Sequence, residues 1–325
     1  MPQRLEPTYR EALAEAWRFV GTHKFLWLLG AVAAVLGEFG FTSFIGRLWR
    51  LFTEGASSAD FWWLPTSLHG FSDVRLSPAL DSLAIIMVAV ALLLFIIVAG
   101  ILAQGAIISS ALTFFRTKKI PTIAVAWNKS VHSFWHLFGI KLLENFFLSI
   151  FLFLVVALWA ILPTDLFFFA LIRGVILVAA VLGGVTISAV SVFASAYTID
   201  KNYTIQEALR EGWALFAGHV LTSIELSFIF LLLTGFVVGA VCLAAYGVVV
   251  FGLLFMVLGA VAAEPTITML GVMLSGFLFV VATAVIGGFF NAYVLCAWMY
   301  CYIKMHRTGI PSRLLHYKAQ LMGSK

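Results

Sequence analysis

Six long stretches without a single Asp, Glu, Lys or Arg, at positions 25–37, 82–115, 145–164, 174–199, 226–263 and 265–303, constrain this chain more than any motif does. All but the first exceed the roughly 18 apolar residues that mark a membrane span. The first reaches position 46 if Glu38 is tolerated. Unbroken runs of Leu, Val, Ala and Phe fit helices; a membrane barrel would instead show alternating segments of about 10 residues. Only 11% of the residues are charged, against about a quarter in a soluble domain. The expectation is an all-α, polytopic transmembrane helix bundle in a single membrane domain over 1–325.

The cations orient the bundle. Segments 1–24, 116–141, 200–211 and 304–325 hold sixteen of the twenty Lys and Arg, and the connections between them hold only Arg47, Arg50, Arg75 and Arg173. The positive-inside rule makes those four segments cytoplasmic. Both termini are then inside and the number of spans is even, six in the simplest reading, in the cytoplasmic (inner) membrane. The stretch before the first run is rich in charge, so that run reads as an uncleaved span rather than a signal peptide. The net charge of +5 belongs to loops beside anionic lipid; no basic face with base-reading groups points to nucleic acid.

One stretch is too long for a single crossing. A straight helix over 219–263 would reach about 67 Å, twice the ~30 Å hydrocarbon core. Gly235, Gly239, Gly247, Gly252 and Gly259 offer places to bend. The sequence therefore predicts a span over 219–241 followed by a re-entrant or interfacial piece. The outer connection 47–80 carries an aromatic anchor, "DFWWLP", at 60–65.

A polar phrase recurs on the basic side: "TYREALAEAW" at 8–17 and "TIQEALREGW" at 204–213. Thr8 with Glu11, and Thr204 with Glu207, have the capping-box spacing of a helix start. Tyr9, Ala12, Leu13, Ala16, Trp17 and Val20 then fall on one face, as do Ile205, Ala208, Leu209, Gly212, Trp213 and Phe216. The same offsets give Ile123, Ala126, Trp127, Ser130, Val131 and Phe134. Three amphipathic helices, each anchored by Trp17, Trp127 or Trp213, are thus expected in the interface plane ahead of the odd-numbered spans. "FRTKKIPT" at 115–122 also resembles "HRTGIPSR" at 306–313. The chain parses into three parallel units of interfacial helix plus two spans, at about 8–115, 122–199 and 204–303, with a tail at 304–325.

Polar residues inside spans are the candidate chemistry, because a charge at mid-bilayer costs at least about 2.5–3.5 kcal/mol. Glu38 lies in the outer half, where Arg47, Arg50 or Arg173 would pair with it. Glu144, Asn145 and Glu225 lie nearer the cytoplasmic face, with Lys141 one turn from Glu144 to neutralise it. Gln104, Ser188 and Asn291 place one polar side chain at mid-depth on every even span. Either this set lines a pathway, or each member forms an interhelical hydrogen bond of about 0.6 kcal/mol that fixes register.

Enzyme signatures are largely missing from the sequence. All seven histidines, at 23, 69, 132, 136, 219, 306 and 316, lie at or beyond span ends. His132 and His136, four apart, have no evident third metal ligand. Cys242, Cys296 and Cys301 lie inside apolar runs without metal-type spacing. "GGFFNAY" at 287–293 reads as close helix packing rather than a phosphate cradle. No cofactor is implied.

Six spans with recurrent "EAL..AW"-type helices, here Glu11 to Trp17 and Glu207 to Trp213, resemble a loose group of prokaryotic membrane proteins. These are similar to the membrane domain attached to some glycerophosphoryl diester phosphodiesterases. The resemblance implies the six-span fold. It implies no phosphodiesterase activity, because the sequence shows no segment for the soluble barrel, and it carries over no catalytic residue. Two functions are expected on these grounds, and a third, a membrane enzyme acting on lipid headgroups, would need a cluster of polar residues at one face that the sequence only hints at. One is a non-enzymatic protein that organises lipid, a membrane-protein partner or a second copy of itself through its interfacial helices. The other is a small-solute or lipid transporter or channel using Glu144, Glu225 and the mid-depth amides.

Overall fold

The computed structural model describes residues 8–37, 79–119, 121–161, 167–262 and 264–308. Every regular element among them is a helix. In chain order these are α1 (Thr8–Thr22), α2 (Phe25–Gly37), α3 (Ala79–Thr117), α4 (Ile123–His132), α5 (Phe134–Ile161), α6 (Phe167–Lys201), α7 (Ile205–Gly218), α8 (Val220–Val261) and α9 (Pro265–Thr308). Five of them, α3, α5, α6, α8 and α9, are long and apolar enough to cross a membrane, and the apolar helix α2 is shorter within the described residues. This is the architecture of a multi-pass membrane protein.

Helices form at the three positions where amphipathic helices are expected, as α1, α4 and α7. At the start of α7, the Glu207 carboxylate accepts the Thr204 backbone N–H at 3.0 Å and its hydroxyl at 2.8 Å. That satisfies an N-terminal donor that would otherwise be orphaned. Lys118 and Asn202 follow the ends of α3 and α6 with left-handed φ values of 55° and 53°. Their N–H groups close back on Phe114 O and Thr198 O. This αL ending lets the chain turn from each span into the next short helix.

The pairings between helices are cyclic. Helix α4 packs on α3, α7 packs on α6, and α1 packs on α9. The three spans α3, α6 and α9 also touch one another pairwise, and α2, α5 and α8 each pack against two of them. A span thus receives the short helix that follows it in the chain, except α9, which receives the one at the opposite end of the sequence.

The short helices bury only part of the face that their apolar pattern announces, with Val20 of α1 and Phe216 of α7 inside it, and Phe19 and Leu215 are buried beside it. Ala12 and Ala16 of α1, Ala126 and Ser130 of α4, and Ala208 and Gly212 of α7 are buried. Within each pair the residues are four apart, four and eight positions after Thr8, Thr122 and Thr204. Small side chains one turn apart let two helices approach closely. Ser130 donates to the Leu102 carbonyl of α3 at 2.8 Å. Gly212 lies so near α6 that a methyl group there would meet Ala194 N and Val190 O at 3.1 Å. The tryptophans flank this seam: Trp17 is 59% exposed and Trp213 is 56% exposed, and Trp127 is half-buried.

The expected break after 241 is absent. Helix α8 runs unbroken from Val220 to Val261, 42 residues or about 63 Å, and lies antiparallel to α9. Phe230 meets Trp298 at one end, while Gly252 meets Ser275 and Gly259 meets Thr268 at the other. Gly235, Gly239 and Gly247 have open space around them. Glycine permits a bend but does not impose one, and α9 supports α8 along its length.

Candidate functional site

Glu144, singled out from sequence, is the centre of a buried polar cluster in the α5–α6 seam. Its side chain is 2% exposed. One oxygen, Oε2, takes Lys141 Nζ at 2.7 Å and the Ser191 hydroxyl at 2.6 Å. The other, Oε1, takes the Ser188 hydroxyl at 3.2 Å. Lys141 supplies the neutralising charge from one turn away on the same helix, as expected. A charge taken out of water is tolerated only with such a partner and satisfied lone pairs. Asn145 turns back on its own helix and donates to the Lys141 carbonyl at 3.0 Å. The sequence reading included Ser188 but missed Ser191, which makes the shorter bond. The i, i+3 spacing of the two serines was the available signal.

Asn291 belongs to a different seam. Its amide donates to the Gly30 carbonyl of α2 at 3.3 Å. Here α2 and α9 cross backbone to backbone: a methyl group on Gly30 would strike the Gly288 carbonyl oxygen, and one on Gly288 would strike the Trp27 carbonyl. "GGFFNAY" is therefore close packing, as expected. Phe289 adds an edge contact to Trp17 with centroids 4.9 Å apart and one to Trp27 at 5.1 Å.

The remaining candidates are dispersed. Gln104 is half-buried on α3, next to Gly105, which faces Ser130 and Leu137. Arg173 places its guanidinium 5.2 Å from the centroid of the Trp159 ring, joining α6 to α5. Glu225 is half-buried in the second turn of α8. Glu38, Arg47, Arg50, Arg75, the anchor at 60–65 and most of the tail lie outside the described residues.

A second polar network, unforeseen from the sequence, joins the basic ends of α3, α6 and α9. Arg116 grips Asp200 through two bonds, of 2.5 and 2.6 Å, and the Tyr302 hydroxyl donates to the same carboxylate at 3.3 Å. One carboxylate on α6 thus holds a cation from α3 and a phenol from α9. A fork-to-fork Arg–carboxylate pair is among the stronger and more directional ion pairs. Asp200 is the only acid between Arg173 and Glu207, sitting where cations are expected, and this was the signal that could have found it. Around it His306 stacks on Tyr302, Tyr197 meets both rings edge-on, and Lys201 lies 5.3 Å from the Tyr197 ring centroid.

Helix α1 is held by its own set. Glu11 pairs with Lys304 at 3.0 Å and Glu15 with Lys118 at 3.4 Å. The Tyr300 hydroxyl also bonds Glu11 and, with Lys304 and the more distant Lys118, holds that carboxyl below its ordinary value of 4.5. On α7 the Thr204 N–H and hydroxyl lower Glu207 in the same sense.

Among the described residues, no group of three His, Cys, Asp or Glu side chains is placed to hold a metal ion. No family model matches this sequence, and neither a curated protein nor a solved structure resembles it closely enough to lend a function.

Proposed function

We propose that this chain is a non-enzymatic, six-span protein of the cytoplasmic membrane. It is built of three units of amphipathic helix plus two spans, and it organises lipid or a membrane partner at its basic face. The observation that carries this reading is the dispersal of the candidate polar residues. Glu144 is neutralised in the α5–α6 seam, while Asn291 is bonded to backbone in the α2–α9 seam. Residues that line a solute path converge on it; these two tie different helix pairs together. The cyclic pairing of α1, α4 and α7 with α9, α3 and α6 supports the three-unit reading, as does the coincidence of their buried small residues. The cations at the ends of α3, α6 and α9 support the cytoplasmic assignment of that face, where anionic lipid is the natural neighbour.

The test is flux. Purified protein in proteoliposomes should show no pH-coupled movement of small solutes or lipid that responds to Glu144→Gln together with Glu225→Gln. Flux abolished by that pair would replace the organising role with transport. Labelling of cysteines placed at both termini should report the same, cytoplasmic side.

A further inference from the structure

The three short helices sit in similar seams but differ in what they leave exposed. Around α7, residues 200–219 hold Lys201 and Arg210 against Asp200, Glu207 and Glu211, so that stretch has no cation to spare. Residues 116–141, around α4, hold five Lys and Arg and no acid. Acids elsewhere take three of the five: Asp200 takes Arg116, Glu15 takes Lys118 and Glu144 takes Lys141. Lys119, just before α4, and Lys129, within it, are exposed and have no ion pair among the described residues. Arg10 and Arg18 of α1, with Lys24 after it, are spare in the same way.

What separates α4 from α1 is apolar exposure. The only large apolar side chain that α1 exposes is Trp17, and for α7 it is Trp213; α4, ten residues long, exposes Ile123, Val125 and Val131. Ile123, Trp127 and Val131 are spaced four apart, so they form one edge of the helix beside the buried Ala126 and Ser130. Lys129 lies on the opposite edge, with His132 three positions on. The apolar edge continues past the helix end into Trp135, 75% exposed, and then along α5 through Leu142, Phe146 and Phe153. That line on α5 is the outward face of a span, so what covers it is lipid, and the edge of α4 is continuous with it.

We propose that α4 is the bundle's docking site for anionic phospholipid. Its apolar edge enters the acyl region beside the headgroups, and Lys119 and Lys129 hold the phosphates. Helices that lie in an interface bind through buried apolar area plus attraction to anionic lipid; α4 has both, α1 has chiefly the charge, and α7 has neither in excess. The inference rests on the reading that the basic face organises lipid, and it names the lipid class and the helix.

The experiment uses the full chain with Cys242→Ser, which removes the exposed native thiol, in phosphatidylcholine bilayers. A fluorophore is attached on α4 through Asn128→Cys, on α1 through Ala14→Cys or on α7 through Ala214→Cys, all exposed positions. Its quenching is followed as nitroxide-labelled phosphatidylglycerol or nitroxide-labelled phosphatidylcholine is added. At α4 the anionic lipid should reach half-quenching at a several-fold lower mole fraction than the zwitterionic one. A lysine near an anionic surface is worth about fivefold, so Lys119→Gln with Lys129→Gln should remove that preference. So should 1 M salt, where the Debye length shrinks to about 3 Å. The preference should be smaller at α1 and absent at α7. A preference at α4 no greater than at α1 or α7, or one that survives loss of both lysines, overturns the site. Quenching by neither lipid at any of the three helices would instead withdraw lipid from the proposed role and leave the basic face to a protein partner.

Discussion

At the basic end, residues 101–112 of α3, 189–199 of α6 and 292–305 of α9 are mostly buried. In the opposite half of the same helices, Met87, Phe95, Val175, Met273 and Phe277 stand exposed. Both halves are apolar, so hydrophobicity does not separate them. Side-chain size and the presence of hydroxyls do. The buried half is richer in Ala, Ser and Tyr, with Cys296 and Cys301, around large buried side chains such as Ile107, Ile108, Phe193 and Met299; the exposed half is richer in Leu, Val and Phe. Lipid covers large aliphatic surface as well as a neighbouring helix does, so helices gain from meeting where backbones approach closely and hydroxyls find partners. The three short helices are docked at the small-residue half, so the bundle is tightest where the charged loops are.

The comparison breaks most severely at the α2–α9 crossing. Gly288→Leu would drive a side chain into the Trp27 carbonyl and Ala31, where neither backbone can yield. Overpacking costs about 1–3 kcal/mol and sometimes more, so this variant should fall furthest in thermal midpoint, or fail to fold in detergent. The matched control is Gly235→Leu on the open part of α8, which should leave the midpoint unchanged.

Next in size is the Glu144 cluster. Glu144→Ala leaves Lys141 in the seam without its carboxylate and two serines without their acceptor. Removal of one buried partner costs about 3–5 kcal/mol. Lys141 is 21% exposed and can turn toward the surface, so the lower part of that range is expected. Replacing both, with Lys141→Met and Glu144→Leu, should recover much of the loss. A single variant as stable as the parent would mean that the cluster contributes nothing to the seam.

The smallest effect is a pH dependence. Glu11 and Glu207 are held below the ordinary carboxylate value of 4.5 in the folded protein. The stability they add is fully present above that value and is lost as pH falls through the lowered folded value. Between neutral pH and 5 the midpoint should be flat with respect to these two groups. Below about 4.5 the parent should lose more than a variant carrying Glu11→Gln and Glu207→Gln, measured by thermal melting at fixed ionic strength.

Much of this was legible in the sequence because it is local. Runs without charge located the helices, the Thr–Glu spacing located the start of α7, and the three-residue spacing of Lys141 and Glu144 predicted their ion pair. What escaped depends on partners distant in the chain. The apolar face of the short helices reads as one surface, yet packing divides it into a buried part, small residues with Val20 and Phe216 at the ends, and the more exposed Trp17 and Trp213, because helix approach selects for size and periodicity counts only polarity. The five glycines of α8 looked like breaks, but α9, antiparallel along it, keeps the helix straight. The Arg116–Asp200 pair spans 84 positions, beyond any local pattern.

The central claim is that three short helices dock on three spans through equivalent small residues. The most direct measurement of it is a size scan of Ala16, Ser130 and Gly212, each replaced by Leu, with thermal midpoints of the purified protein. The account predicts a clear drop at all three positions and none for Trp213→Leu, whose side chain is exposed. A chain in which Ser130→Leu and Gly212→Leu melt like the parent would contradict it.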